Sequence, residues 1–295
     1  MTADTMRYNK KTGVRYMPVK IVTDSVSDIP PDIVKELGIT VIPVLIRFGE
    51  ETYRDGIDIT TDQFYKRLVS SRVMPVTSAP SLDMFIRTYA RLGKETDEVL
   101  AIILSSRLSG VYNAALQSAR LMESGPHVMV VDSGWAVMAQ GFIVIEAARA
   151  AQAGTGLNEI LEQIERNKTR VDMRATLDTL EYLKRGGRIG KAQAFLGSML
   201  KVNPIITLRD GVVEPAGRAH SRGKAIDALF DFAASYKHID GLAVEGAACP
   251  EDVERLVERL GAIFPKEKII RTRTTPVIGT HTGPGLLLLA VFGDK

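Results

Sequence analysis

The chain has 295 residues, which exceeds the usual size of one domain, and 45% of them are apolar, ample for a packed core. Thirty-eight basic residues against 35 acidic ones leave a net charge of +3, scattered along the chain, and this argues against nucleic acid as a partner. The single cysteine, Cys249, excludes an intramolecular disulfide and a cysteine-based zinc site, and no 18-residue apolar run predicts a membrane span.

The first 17 residues are polar, with Lys10, Lys11 and Arg15, and lack the apolar core of a signal peptide. They read as a disordered extension on a cytoplasmic protein. A strand is predicted over 19–23, leading into Thr23-Asp24-Ser25. Pro30-Pro31 opens a short helix that stops at Gly38. Residues 39–48 read as one strand, turned by Gly49-Glu50. Thr60 or Thr61 caps a helix to about Ser70, and Ser81 caps another that ends at Gly93. The apolar run 99–104 reads as a buried parallel strand. It ends in Ser105-Ser106-Arg107-Leu108-Ser109-Gly110, followed by a helix over 111–122. A strand over 127–131 delivers Asp132-Ser133-Gly134, and a long helix runs from about Trp135 to Ala153. This first half is a parallel sheet flanked by helices.

In the second half the pattern predicts a helix over 157–167, a strand over 171–177 and a short helix from 180, broken at Gly186-Gly187. A hairpin turns at Asp210-Gly211. Helices over 222–237 and 251–262 and strands over 241–245, 267–273 and 286–292 complete an α+β domain with a mixed sheet. The boundary falls between Gly154 and Leu157. The fold class is therefore α/β in two domains, 18–155 and 156–295. A stretch over 194–200 is apolar on nearly every face, either a doubly buried helix or the wall of a tunnel.

Three strand ends deliver hydroxyls, and two also deliver an aspartate. In open α/β sheets that edge is where ligands bind, and hydroxyls beside a helix N-terminus hold anions. The same residues also serve as ordinary helix caps. Thr77-Ser78-Ala79-Pro80 carries the same two readings. Gly279-Thr280-His281-Thr282-Gly283-Pro284-Gly285 reads as a glycine-rich loop built for close approach to a ligand, with His281 in its midst. Lys184-Arg185-Gly186-Gly187-Arg188-Ile189-Gly190 lacks the spacing of a nucleotide-phosphate loop, since Lys191 is followed by Ala192. No metal-ligand spacing is visible. His281 with Asp24 or Asp132 offers the parts of a serine-nucleophile site, but no Gly-x-Ser-x-Gly elbow accompanies them. A hydroxyl-rich, base-poor inventory suits holding an anion better than breaking a bond.

Taken together, these segments resemble the DegV family of bacterial fatty-acid-binding proteins. The resemblance is carried in order by Thr23-Asp24-Ser25 with Ser27-Asp28-Ile29-Pro30, Thr77-Ser78-Ala79-Pro80, the serine run 105–110, Asp132-Ser133, Gly186-Gly187-Arg188-Ile189 and His281-Thr282-Gly283-Pro284-Gly285. It implies a non-catalytic carrier, without a cofactor, that encloses one long-chain fatty acid such as palmitate, stearate or oleate. The family's head-group positions fall here on Thr77, Ser78, Ser109 and His281, with Ser106 and Gly110 beside them. The resemblance also implies a separate fatty-acid kinase that phosphorylates the bound carboxylate on a route to phospholipid, with Arg188, Arg218 and Arg222 as candidate docking residues. Two positions depart from the family pattern: His220 stands where an arginine is usual, and Arg107 replaces a small residue. Burying about 14 methylenes stabilises a complex by roughly 11 kcal/mol gross, at about 0.8 kcal/mol each. The rival readings are a Ser/His hydrolase or acyltransferase and a binding module for another small anion.

Overall fold

The computed structural model describes residues 7–8, 15–196 and 202–295. Two short strands, β1 (Arg7–Tyr8) and β2 (Arg15–Tyr16), pair antiparallel within the segment expected to be disordered. Next come β3 (Lys20–Asp24), α1 (Pro31–Leu37), β4 (Thr40–Ile42), β5 (Leu45–Phe48), β6 (Glu51–Arg54), α2 (Thr61–Ser70), β7 (Val76–Ser78) and α3 (Leu82–Leu92). The first half closes with β8 (Glu98–Ile103), α4 (Val111–Leu121), β9 (His127–Asp132) and α5 (Val137–Ala153). Strands β4-β3-β8-β9 form the expected parallel sheet.

The strand expected over 39–48 is in fact two strands in two sheets. Pro43 has no amide hydrogen to continue a ladder, and the chain leaves the parallel sheet there. Beyond it β5 pairs antiparallel with β6 and β7 in a separate three-stranded sheet. The helix starts follow the predicted caps. The Thr60 hydroxyl accepts the Gln63 amide in a capping box, and the Ser81 hydroxyl accepts the Met84 amide.

The second half contains α6 (Leu157–Arg170), β10 (Val171–Thr176), α7 (Glu181–Arg185), β11 (Asn203–Arg209), β12 (Val212–Ala219), α8 (Arg222–Ala234), β13 (His238–Gly246), α9 (Pro250–Leu260), β14 (Ile270–Arg273), α10 (Pro276–Thr282) and β15 (Leu287–Asp294). Its sheet runs β12-β11-β10-β15-β13-β14, antiparallel except for the β13–β14 pair. Asp210 and Gly211, at φ 49° and 74°, make the two-residue turn between β11 and β12. Most of the apolar stretch 194–200 lies outside the described residues. Its start closes a 3-10 turn, Gly190–Phe195.

The glycine-rich loop expected over 279–285 is instead the end of a helix. Pro276 sits in the first turn of α10, and His281 lies in its last turn. From Val137 to Ile145 helix α5 is buried on every face because it lies between the two large sheets, against β3 on one side and β10, β13 and β15 on the other. One apolar core therefore runs through both halves, and a second fills the space between the mixed sheet and α8 and α9. Among the described residues no helix is long and apolar enough to cross a membrane.

Candidate functional site

The strand-end residues divide into two sets. The first set braces backbone. The Asp24 carboxylate accepts the Val26 amide at 3.0 Å, the Leu104 amide at 2.8 Å and the Gln140 side chain at 3.1 Å. It is fully buried, and burial outweighs these donors to raise its pKa to about 6. Asp132 accepts the amides of Ser106 and Gly134. The Ser105 hydroxyl donates to the Gly211 carbonyl at 3.0 Å, which ties the 104–110 loop to the hairpin of the mixed sheet.

The second set faces a half-open cavity between the two halves, with about 800 Å³ of empty space when its opening to solvent is counted. Alternation along the mixed sheet supplies one wall, with Met173 and Ala175 on β10, Ile206 and Leu208 on β11, and Leu288 on β15. Val26, Val44, Leu104, Leu108 and Val137 supply the other. The wall is apolar apart from a few groups. The hydroxyls of Thr207 and Thr282 are already engaged, Thr207 with Arg174 and Asp172, and Thr282 with the Ile278 carbonyl. Thr77, Ser109, Arg188 and His281 remain.

These four come from separate segments. Thr77 points inward from β7, and the Thr77 hydroxyl meets His281 Nε2 at 2.9 Å. His281 Nδ1 is buried without a partner. Burial, and then the nearby positive charge of Arg188, lower the His281 pKa to about 4, so the imidazole is neutral at physiological pH. Gly186 packs directly against this ring, and a Cβ there would fall 2.3 Å from Nδ1. Arg188 donates from Nε to the Leu108 carbonyl at 3.1 Å and from Nη1 to the Gly186 carbonyl at 2.6 Å. It thereby holds a positive charge at the cavity wall, and among the described residues no carboxylate pairs with it. Ser109 accepts only a long bond from the Val111 amide, at 3.4 Å. The arrangement offers one fixed cation, a neutral imidazole and two hydroxyls at the wall of an apolar space. That is the chemistry of an amphipathic anion.

The other predicted residues stand elsewhere. Ser78 is exposed, turned away from Thr77 by strand alternation. The Ser106 backbone is held by Asp132, and Gly110 is the exposed N-cap of α4. None of the three lines the cavity. Arg218 is exposed, 4.5 Å over the Phe195 ring. Arg222 is paired with Asp252 at 2.8 Å and Asp178 at 3.7 Å, spanning α8, α9 and the segment after β10. Asp24 and Asp132 are spent on backbone amides, so the partner of His281 is a hydroxyl and not the carboxylate a nucleophilic triad needs. Among the described residues no group of acidic, histidine or cysteine side chains is placed to hold a metal ion.

Sequence reasoning missed a buried acidic cluster, Asp28, Asp55 and Glu245. Its signal was Glu245, a lone charge inside the apolar run Leu242-Ala243-Val244-Glu245-Gly246-Ala247.

Residues 18–293 match the model of a family described as uncharacterised protein, DegV family. A DegV domain-containing protein of Halalkalibacterium halodurans is 34% identical over 281 residues, covering 94% of this chain and 99% of its own. Among solved structures, a fatty-acid-binding DegV family protein from Thermus thermophilus superposes with a TM-score of 0.87 at 33% identity, over 94% of this chain and 100% of that one. DegV of Bacillus subtilis, a fatty acid binding protein, gives 0.86 at 33% identity, over 94% and 99%.

Proposed function

This chain belongs to the DegV family, and from that premise we propose that it is a non-catalytic carrier of one long-chain fatty acid, acting in the cytoplasm. The carrying observation is the apolar cavity between the halves, with Thr77, Ser109, His281 and Arg188 gathered on its wall. The carboxylate accepts hydrogen bonds from the Ser109 hydroxyl and from the Thr77–His281 pair, which has one proton left to donate once its two members bond each other, with Arg188 as counter-charge. The acyl chain extends along Ala175, Ile206 and Leu288. Binding of fatty acids by the Thermus and Bacillus relatives supports the ligand class. The pairing of His281 with Thr77 favours a carrier over a hydrolase.

The bound carboxylate is presented to a separate fatty-acid kinase. Arg218 is the exposed member of the three docking candidates, while Arg222 is committed to Asp252 and Asp178.

Two assays test this reading. Palmitate should bind at least about 10-fold more tightly than the alcohol of equal length, because hydrogen bonds to a charged group contribute about 1.5–3 kcal/mol. Equal affinity would remove the head-group assignment. With a fatty-acid kinase and ATP, acyl phosphate should form only when this protein is present. Equal formation in its absence would end the carrier role.

A further inference from the structure

Two buried carboxyl groups from opposite halves of the molecule meet without a counter-ion. Asp28 follows the 3-10 turn Ser25–Ser27 in a left-handed conformation, at φ 51°. Glu245 lies on β13, and both side chains are buried. Asp28 Oδ1 accepts the Thr275 amide at 3.3 Å, and Glu245 Oε1 accepts the Met138 amide at 2.7 Å. Each residue keeps one buried oxygen, Asp28 Oδ2 and Glu245 Oε2, without a hydrogen-bond partner, and the buried Thr275 hydroxyl beside Asp28 is likewise unbonded. Glu245 lies opposite Thr272 in the β13–β14 ladder, and the Thr272 hydroxyl donates to the Asp28 carbonyl at 2.8 Å, which brings the two acidic residues side by side. An ionised carboxylate only accepts, so two ionised groups in contact repel and leave both oxygens unsatisfied. One proton between them makes one a donor and satisfies both.

The surroundings deepen the effect. Asp24 and Asp55 bring further acid from the first half, and Asp55 takes the Ser25 hydroxyl at 2.7 Å. Tyr65 on α2 and Cys249 before α9 add neutral titratable groups. Arg273, the nearby cation, is bound to Asp62. Among the described residues no lysine, arginine or histidine forms an ion pair with Asp28, Asp55 or Glu245. Burial and the neighbouring acid push Asp28 well above the usual carboxylate range, and burial pushes Glu245 the same way.

The pair touches three segments of the cavity wall. Val26 stands two residues before Asp28, and Val277 two residues after Thr275 on the helix that carries His281. Val137 adjoins Met138 and is a β-branched residue held at φ 55°.

We propose that Asp28 and Glu245 share one proton and form a pH-sensitive latch that holds the two halves closed over the cavity. A carboxyl group whose folded pKa is raised contributes stability that is complete below its unfolded value, about 4, and is lost as pH rises through the folded value. The latch is therefore tight in mildly acidic solution and loosens toward alkaline pH. Faster ligand release on loosening rests on the fatty-acid reading above.

The test compares the parent chain with Glu245→Gln and Asp28→Asn, in each of which an amide donor replaces the proton at all pH values. Ligand-free thermal unfolding is followed from about pH 5 to about pH 8. Each variant should melt near the parent at the acidic end and about 4 °C or more above it at the alkaline end. The same offset at both ends would overturn the shared proton. With oleate as probe, release from the parent should quicken about 10-fold across that range and stay within about twofold in either variant. Melting that follows the prediction while release ignores pH would overturn the latch. Failure to take up oleate at any pH would count against the fatty-acid reading alone, and the ligand-free melting would still decide the proton.

Discussion

Asp24, Ser105 and Asp132 differ from Thr77, Ser109 and His281 less in chemistry than in what meets them. Every one is a small polar group or an imidazole near the end of a strand or helix. The first three are met by protein groups: amides for the two aspartates, a carbonyl for Ser105. The second three line an apolar cavity with capacity left over: Thr77 and His281 bond only each other, His281 keeps a partnerless Nδ1, and Ser109 makes one long bond. A satisfied polar group holds a loop in place. An unsatisfied one beside an apolar wall is prepared for a ligand.

Substitutions in the two sets should separate stability from affinity. The largest effect is expected from Asp24→Ala, which strands the buried amides of Val26 and Leu104, while the Gln140 side chain keeps the Thr23 hydroxyl. At about 1–3 kcal/mol for each unsatisfied group, denaturant titration should show a loss of about 2–6 kcal/mol. Retained stability would dissolve the distinction between the sets. Arg222→Glu places a third carboxylate between Asp252 and Asp178, and should lower the unfolding free energy by about 2 kcal/mol. Fatty-acid affinity of the folded fraction should stay within about twofold by calorimetry. A selective loss of kinase-dependent phosphorylation, with stability intact, would return Arg222 to the docking surface.

Ser109→Ala should do the reverse. It should weaken fatty-acid binding about 10-fold, equivalent to about 1.4 kcal/mol, and leave the denaturation midpoint in place. A shifted midpoint with unchanged affinity would make Ser109 another brace. The smallest effect is expected from Ser78→Ala, within about twofold in affinity, because that side chain is exposed. A 10-fold loss there would show that the loop rearranges when ligand binds.

Local signals made most of the fold readable. The caps at Thr60 and Ser81, the prolines opening α1 and the Asp210-Gly211 turn each act through neighbours in sequence. The failures are tertiary. Helix α10 holds residues of low helix propensity, Gly279, Thr280 and Thr282, and forms where Gly279 packs against Phe64 and Tyr65, some 215 positions away. The site was half readable for the same reason. Motifs brought forward Thr77, Ser109 and His281. Only the strand geometry of β7 separates Thr77 from Ser78. Arg188 was legible only as a docking candidate, and its place on the cavity wall was not, because the carbonyl of Leu108 that seats its guanidinium lies on the other half of the chain.

The central claim is that a non-covalently held fatty acid fills the cavity. Mass spectrometry of the purified, oleate-loaded protein, native and then denatured, tests it most directly. The account predicts one fatty acid per chain in the native spectrum, and after denaturation the mass of the bare polypeptide with free acid in the organic extract. A native spectrum of the empty chain, or an acyl group that remains attached to Ser109 through denaturation, would contradict it.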